Sequence, residues 1–124
     1  MKVTERFSCS NEGMVAAQAF LESVCDAPRP AIIMDEIVSN IVRCSGAKTF
    51  SVDLEREAES IKMVFSDDGK AFDPITEVAD PNLSSSIEER GIGGLGIFMV
   101  KKMSKSVDYA RRDGRNVLTV VLPV

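Results

Sequence analysis

The stretch Ala31-Ile-Ile-Met-Asp-Glu-Ile-Val-Ser-Asn-Ile-Val-Arg-Cys-Ser-Gly46 decides how this chain is read. Ile33, Ile37, Ile41 and Cys44 recur at helical spacing and form one stripe, which must be core. Gly46 supplies a normal C-terminal stop, so a helix is expected from about Ala31 to Ser45. Glu36, Asn40 and Arg43, at i, i+4 and i+7, form the adjacent stripe. These side chains therefore lie at the edge of the buried face, beside whatever the helix covers. A carboxylate there can take a proton, and an amide oxygen can hold Mg²⁺ together with nucleotide phosphates. Polar residues at this spacing are also ordinary on a solvated helix edge. The pattern alone leaves both readings open.

Upstream, Val3, Glu5 and Phe7 alternate with Lys2, Thr4, Arg6 and Ser8, the signature of a half-buried strand. Ser10 or Asn11 can cap a following helix, on which Val15, Ala19, Leu21 and Val24 make the expected apolar stripe. Asp26 to Pro30 is expected to break it. Downstream, Thr49–Leu54 and Ile61–Phe65 read as a hairpin pair separated by the charged stretch Glu55–Ser60. From Asp67 to Gly94 the chain is rich in Asp, Pro, Ser and Gly, and a loop of that length is usually functional, often a lid. Leu95–Ser104 is expected to be helical, with Leu95, Met99, Val100 and Met103 on one arc. Strands at Ser106–Ala110 and Val117–Leu122 follow, joined by a turn at Asp113-Gly114. The element order predicts an α/β two-layer sandwich, a mixed to mostly antiparallel sheet with helices on one face.

Composition narrows the chemistry. The 124 residues fit one domain, 1–124, and 44% hydrophobic residues are enough to build its core. No run of about 18 apolar residues is present to span a membrane, and the first residues carry charge with no apolar signal region. A cytoplasmic protein is the expectation. Cys9, Cys25 and Cys44 are isolated and odd in number, which favours reduced thiols over a disulfide framework. The chain has no histidine, which removes Ser-His-Asp and Cys-His machinery and any phosphohistidine. Lys101, Lys102 and Lys105, and Arg111, Arg112 and Arg115, cluster locally, but the net charge of −4 argues against a nucleic-acid partner.

Two further motifs stand out. Ser66-Asp-Asp-Gly-Lys70, followed by Ala71-Phe-Asp-Pro74, closes a strand with a carboxylate and a glycine. Such a carboxylate can accept from a ligand amine while the glycine admits a flat ring; a plain Asp-Gly turn explains it equally. Arg90-Gly-Ile-Gly-Gly-Leu-Gly-Ile97 leads into a helix. Glycines there expose N–H groups and the positive end of the dipole to phosphate, or simply form a flexible connection. No Gly-Lys-Ser or Gly-Lys-Thr follows, so this is not a P-loop. It also follows a loop where a Rossmann fingerprint would follow a strand.

Taken together and in this order, the three motifs resemble the GHKL superfamily of ATPases, the Bergerat fold of gyrase, Hsp90, histidine kinases and MutL. Glu36 and Asn40 match its N-box, Asp67-Asp68-Gly69 its Asp-x-Gly box, and Gly93-Gly94-Leu95-Gly96 its second glycine box. The closer resemblance is to the anti-sigma-factor serine/threonine kinases, through Gly69-Lys-Ala-Phe-Asp-Pro74, Gly93–Met103, Val107-Asp-Tyr109 and Gly114–Thr119. It covers essentially the whole chain. The resemblance implies ATP and Mg²⁺ as cofactors, with Glu36 as general base and Asn40 as the Mg²⁺ ligand. It implies that Asp67 binds the adenine amino group, with room given by Gly69. Arg43, Gly91, Gly93, Gly94, Leu95 and Gly96 would complete the nucleotide site, and Arg90 would reach the γ-phosphate. One departure is that the run after Asn40 is Arg43-Cys44-Ser45-Gly46, with Cys44 where relatives carry His. Cys44 is expected to face the core.

The resemblance further implies a STAS-domain antagonist as substrate, a sigma factor as a second partner, and a homodimer. Phe98 lies away from the main apolar arc and serves either a partner surface or a lid contact. The alternative to a kinase is a nucleotide-dependent protein-binding module with little or no transfer activity, against which the presence of both Glu36 and Asn40 counts. A catalytic domain of a sensor histidine kinase is the weakest reading, because the chain lacks histidine and no long dimerisation helix comes first.

Overall fold

The computed structural model describes residues 2–73 and 94–123. Strand β1 (Lys2–Ser8) is followed by helices α1 (Asn11–Val24) and α2 (Pro28–Cys44) and by the hairpin β2 (Thr49–Arg56) and β3 (Ser60–Asp67). Helix α3 (Gly94–Met103) then leads into the hairpin β4 (Ser106–Arg112) and β5 (Arg115–Pro123). Among the described residues one sheet forms, in the order β1-β2-β3-β5-β4. Among the described residues every pairing is antiparallel, in keeping with the mostly antiparallel sheet expected. The two-residue turn Asp113-Gly114 explains the last pair: both residues have positive φ, 52° and 74°, which matches the twist of a tight hairpin.

One face of the sheet is apolar because the strand alternation keeps register across it. Val52, Phe65 and Leu118 lie in one cross-strand row, and Leu54, Met63 and Val120 in the next. All are buried. The row at the end of β3 breaks the pattern, because it reads Phe50, Asp67, Asn116. There the core gives way to two buried polar side chains.

The helices cover that face, with several differences from the sequence expectation. α1 is capped by Ser10, whose hydroxyl accepts from the Gly13 N–H at 3.2 Å. Its inward side is Gly13, Ala17 and Leu21; Val15 is 71% exposed and Ala19 is exposed. Close approach decides the face. A Cβ on Gly13 would stand 1.7 Å from the Ser8 carbonyl oxygen, so only a glycine lets α1 lie against the end of β1. α2 begins at Pro28 and not at Ala31, because a proline in the first turn gives up an N–H that has no helical partner there. Ile33 and Ile37 are buried as expected, joined by Met34 and Val38. Ile41 and Cys44 are only half-buried, so Cys44 does not face the core as expected, and Ile41 lines a cleft under the last turns of α2. On α3, Val100 is buried but Met99 is 41% exposed, so the expected arc is narrower; the side chains of Leu95 and Phe98 lie outside what the structure describes. Among the described residues no helix is long and apolar enough to cross a membrane.

Cys9 follows β1, and its N–H donates to the Lys48 carbonyl at 2.8 Å. Burial, and after it the negative charges of Asp67 and Asp68, push its thiol above the ordinary value.

Two outcomes are expected. Gly13→Ala gains helix propensity but meets backbone it cannot displace, so thermal denaturation should show a net loss of about 2 kcal/mol or more. Cys9 holds its proton more tightly than a free thiol, so less reactive thiolate is present at any pH below the raised value. Iodoacetamide should label it more slowly at pH 8 than a cysteine in an unstructured peptide, and Asp67→Asn should speed labelling by removing one negative charge.

Candidate functional site

The polar row at the end of β3 opens into a cleft between sheet and α2. Ile37, Asn40, Ile41 and Ser45 form its roof. Phe65 and Asp67 from β3, with Leu118 and Asn116 from β5, form its floor. Phe72 and Tyr109 close its side. Apolar walls with a few fixed polar groups are the usual composition of a small-molecule site.

Asp67 is 3% exposed. Its Oδ1 accepts from the Gly69 N–H at 2.9 Å and from Asn116 Nδ2 at 3.1 Å. Gly69 is confined from the other side, because a Cβ there would lie 2.2 Å from the Ser45 carbonyl oxygen. The same carbonyl accepts from the Lys70 N–H at 2.9 Å. The close approach that requires glycine at 69 is thus with the end of α2. Asp68 is exposed.

Across the cleft, Asn40 is 6% exposed. Its Oδ1 accepts from Arg43 Nη2 at 3.1 Å, while Arg43 also donates through Nε to the Ser39 carbonyl at 3.2 Å. Asn40 Nδ2 is buried and has no hydrogen-bond partner among the described residues. A donor left unmatched costs about 1–3 kcal/mol, and a ligand oxygen at this position would recover it. Glu36 sits one helical turn before Asn40, half-buried and outside the cleft lining. Arg43 is exposed at the rim.

The structure therefore brings Asn40 and Asp67 to one cleft, with Gly69 bonded to Asp67 behind its lining and Glu36 and Arg43 flanking it on α2. Gly94, Leu95 and Gly96 fall in the first turn of α3. Arg90, Gly91 and Gly93 lie outside the described residues, as does most of the segment expected to be a lid.

Sequence reasoning missed the β4–β5 side of the site. Asn116 is 6% exposed, and its Oδ1 accepts from the Phe72 N–H at 3.2 Å, from Arg111 Nη1 at 3.1 Å and from the Tyr109 hydroxyl. Its Nδ2 also donates to the Lys70 carbonyl at 2.8 Å. Arg111 Nη1 reaches the Gly69 carbonyl at 2.8 Å. A signal was present: Asn116 occupies the inward phase of an alternation continued by Leu118, Val120 and Leu122. A polar residue at a core phase marks a buried partner. Tyr109 and Arg111 carried no such signal, since an edge strand tolerates polar residues on either face.

The sequence pattern of the family described as histidine kinase-like ATPase domain matches residues 11–122. The chain is similar to the serine/threonine-protein kinase BtrW of Bordetella bronchiseptica, 28% identical over 87 residues. That match takes in 70% of this chain and 61% of BtrW, so it spans less than two thirds of the relative's length. Among solved structures, the histidine kinase AdeS of Acinetobacter baumannii shares the fold, with a TM-score of 0.58 and 14% identity. The alignment covers 98% of this chain and 67% of AdeS. With residues 11–122 matched by the family pattern, this protein belongs to the histidine kinase-like ATPase domain family of the GHKL superfamily.

Proposed function

We propose that the chain is an ATP-dependent serine/threonine protein kinase of the anti-sigma-factor type, phosphorylating a small STAS-domain antagonist in a partner-switching system. The observation that carries the nucleotide reading is the pair of buried polar groups across one apolar cleft, Asp67 below and Asn40 above. Family membership supports ATP as the nucleotide, and the similarity to BtrW, named a serine/threonine-protein kinase, supports a hydroxyl as the acceptor. The sigma factor as final target, a homodimer and a cytoplasmic location belong to the same proposal.

In this reading the adenine enters between Ile41 and the floor residues Phe65 and Leu118, and its amino group donates to Asp67. Asn40 faces the phosphates. Arg43, Gly91, Gly93, Gly94, Leu95, Gly96 and Arg90 contribute to phosphate binding through N–H groups, helix dipole and charge. Glu36 accepts the proton of the attacking serine or threonine hydroxyl. That oxygen bonds to the γ-phosphorus as the bond to the β,γ-bridging oxygen breaks and ADP departs.

Among the described residues no cluster of Cys, Asp or Glu forms a metal cage. That fits Mg²⁺ bound chiefly through phosphates and water, for which one or two hard oxygens suffice. Asn40 Oδ1 is such an oxygen; it carries one hydrogen bond, from Arg43, and keeps a second lone pair. Bound there, the ion would neutralise phosphate charge.

Calorimetry with and without Mg²⁺ tests the site. Wild type should bind ATP; Asp67→Asn should weaken binding about 100-fold, the worth of a charge-assisted hydrogen bond, and Asn40→Ala should abolish the Mg²⁺ dependence. Wild type that binds no ATP under either condition would leave a protein-binding domain on a degenerate ATPase fold. In phosphotransfer assays on candidate antagonist proteins, Glu36→Gln should lower the rate about 10²–10⁴-fold with ATP affinity nearly unchanged. An unchanged rate would remove Glu36 from the base role.

A further inference from the structure

The hydrogen bonds around Asn116 form a directed network that the nucleotide reading does not use. Oδ1 of Asn116 receives three donors, the Phe72 N–H, the Arg111 guanidinium and the Tyr109 hydroxyl. Turning the amide over would set its NH₂ against the Phe72 N–H and the Arg111 guanidinium, neither of which can accept. The orientation is therefore fixed, and Nδ2 must donate, to the Lys70 carbonyl at 2.8 Å and to Asp67 Oδ1 at 3.1 Å. With the Gly69 N–H at 2.9 Å, Asp67 Oδ1 has two internal donors. Among the described residues no hydrogen bond reaches Asp67 Oδ2.

We propose that Asn116 sets base selectivity by occupying one oxygen of the Asp67 carboxylate, so that the carboxylate offers the cleft a single acceptor. This rests on the nucleotide reading of the cleft. A single acceptor matches a single N–H, which the 6-amino group of adenine supplies. Guanine instead presents two adjacent donors, N1–H and the 2-amino group, and pairs best with a carboxylate whose two oxygens are both free. The engaged Oδ1 denies guanine that second bond. Tyr109 and Arg111 act one step back, by holding the amide that holds the carboxylate.

The test is the ratio of GTP to ATP dissociation constants, measured by calorimetry at pH 8 on wild type, Asn116→Ala and Asn116→Leu. Alanine deletes the amide. Leucine deletes the amide as well but fills nearly the same volume, and so keeps the packing should alanine not. Both variants should narrow the preference for ATP about tenfold, the size of one buried hydrogen bond. If both nucleotides weaken together with the ratio unmoved, Asn116 is a structural tie only and the selectivity role is overturned; unchanged affinities overturn it as well. Failure of wild type to bind ATP is a separate result, which overturns the nucleotide reading and with it this role.

Discussion

The hydrogen bond from the Lys70 N–H to the Ser45 carbonyl, 2.9 Å long, fixes the end of α2 against the end of β3. It forms only because Gly69 lacks the Cβ that would collide with that carbonyl. The contact closes the polar end of the sandwich, where sheet and helix would otherwise part. With Ser45 pinned, Asn40 is held above the strand that carries Asp67, and the space between them is the cleft. Positive φ at Gly46 then turns the chain away into β2.

At that end the architecture tolerates what the rest of the core excludes. From Ile61 to Phe65 and from Leu118 to Leu122 the inward positions are apolar, and burial stabilises them without regard to direction. Asp67 and Asn116 occupy the same phases one step further along and are stable only because their hydrogen bonds are made. Directional satisfaction gives this region its specificity. The amide of Asn116 can sit in one orientation, and that orientation decides what Asp67 still has to offer. Asn40, whose Nδ2 has no partner among the described residues, is the counterpart left for a ligand.

The sheet pattern was legible because alternation is a local property: neighbours two apart on a strand share a face whatever lies opposite. Strand limits and the β4–β5 turn were accordingly close to the observed ones. The helix faces were harder. On α1 the apolar residues Val15 and Ala19 look like the core stripe, yet the buried face is built on Gly13 and Ala17, because the helix lies so near Ser8 that small residues must face inward. On α2, Pro28 and Pro30 look like breakers and are instead a start.

By itself the sequence determined the two-layer class, the hairpins, and the placing of Glu36, Asn40 and Arg43 at the edge of a buried helix face, since periodicity and turn chemistry act within a few residues. The order of the three motifs also pointed to the family. Tertiary structure alone decided that Asn116, Tyr109 and Arg111 stand beside Asp67, and that Gly69 is required by Ser45. Those contacts join residues far apart in the chain, and the donor and acceptor geometry that selects them exists only once the sheet has brought β3 and β5 into register.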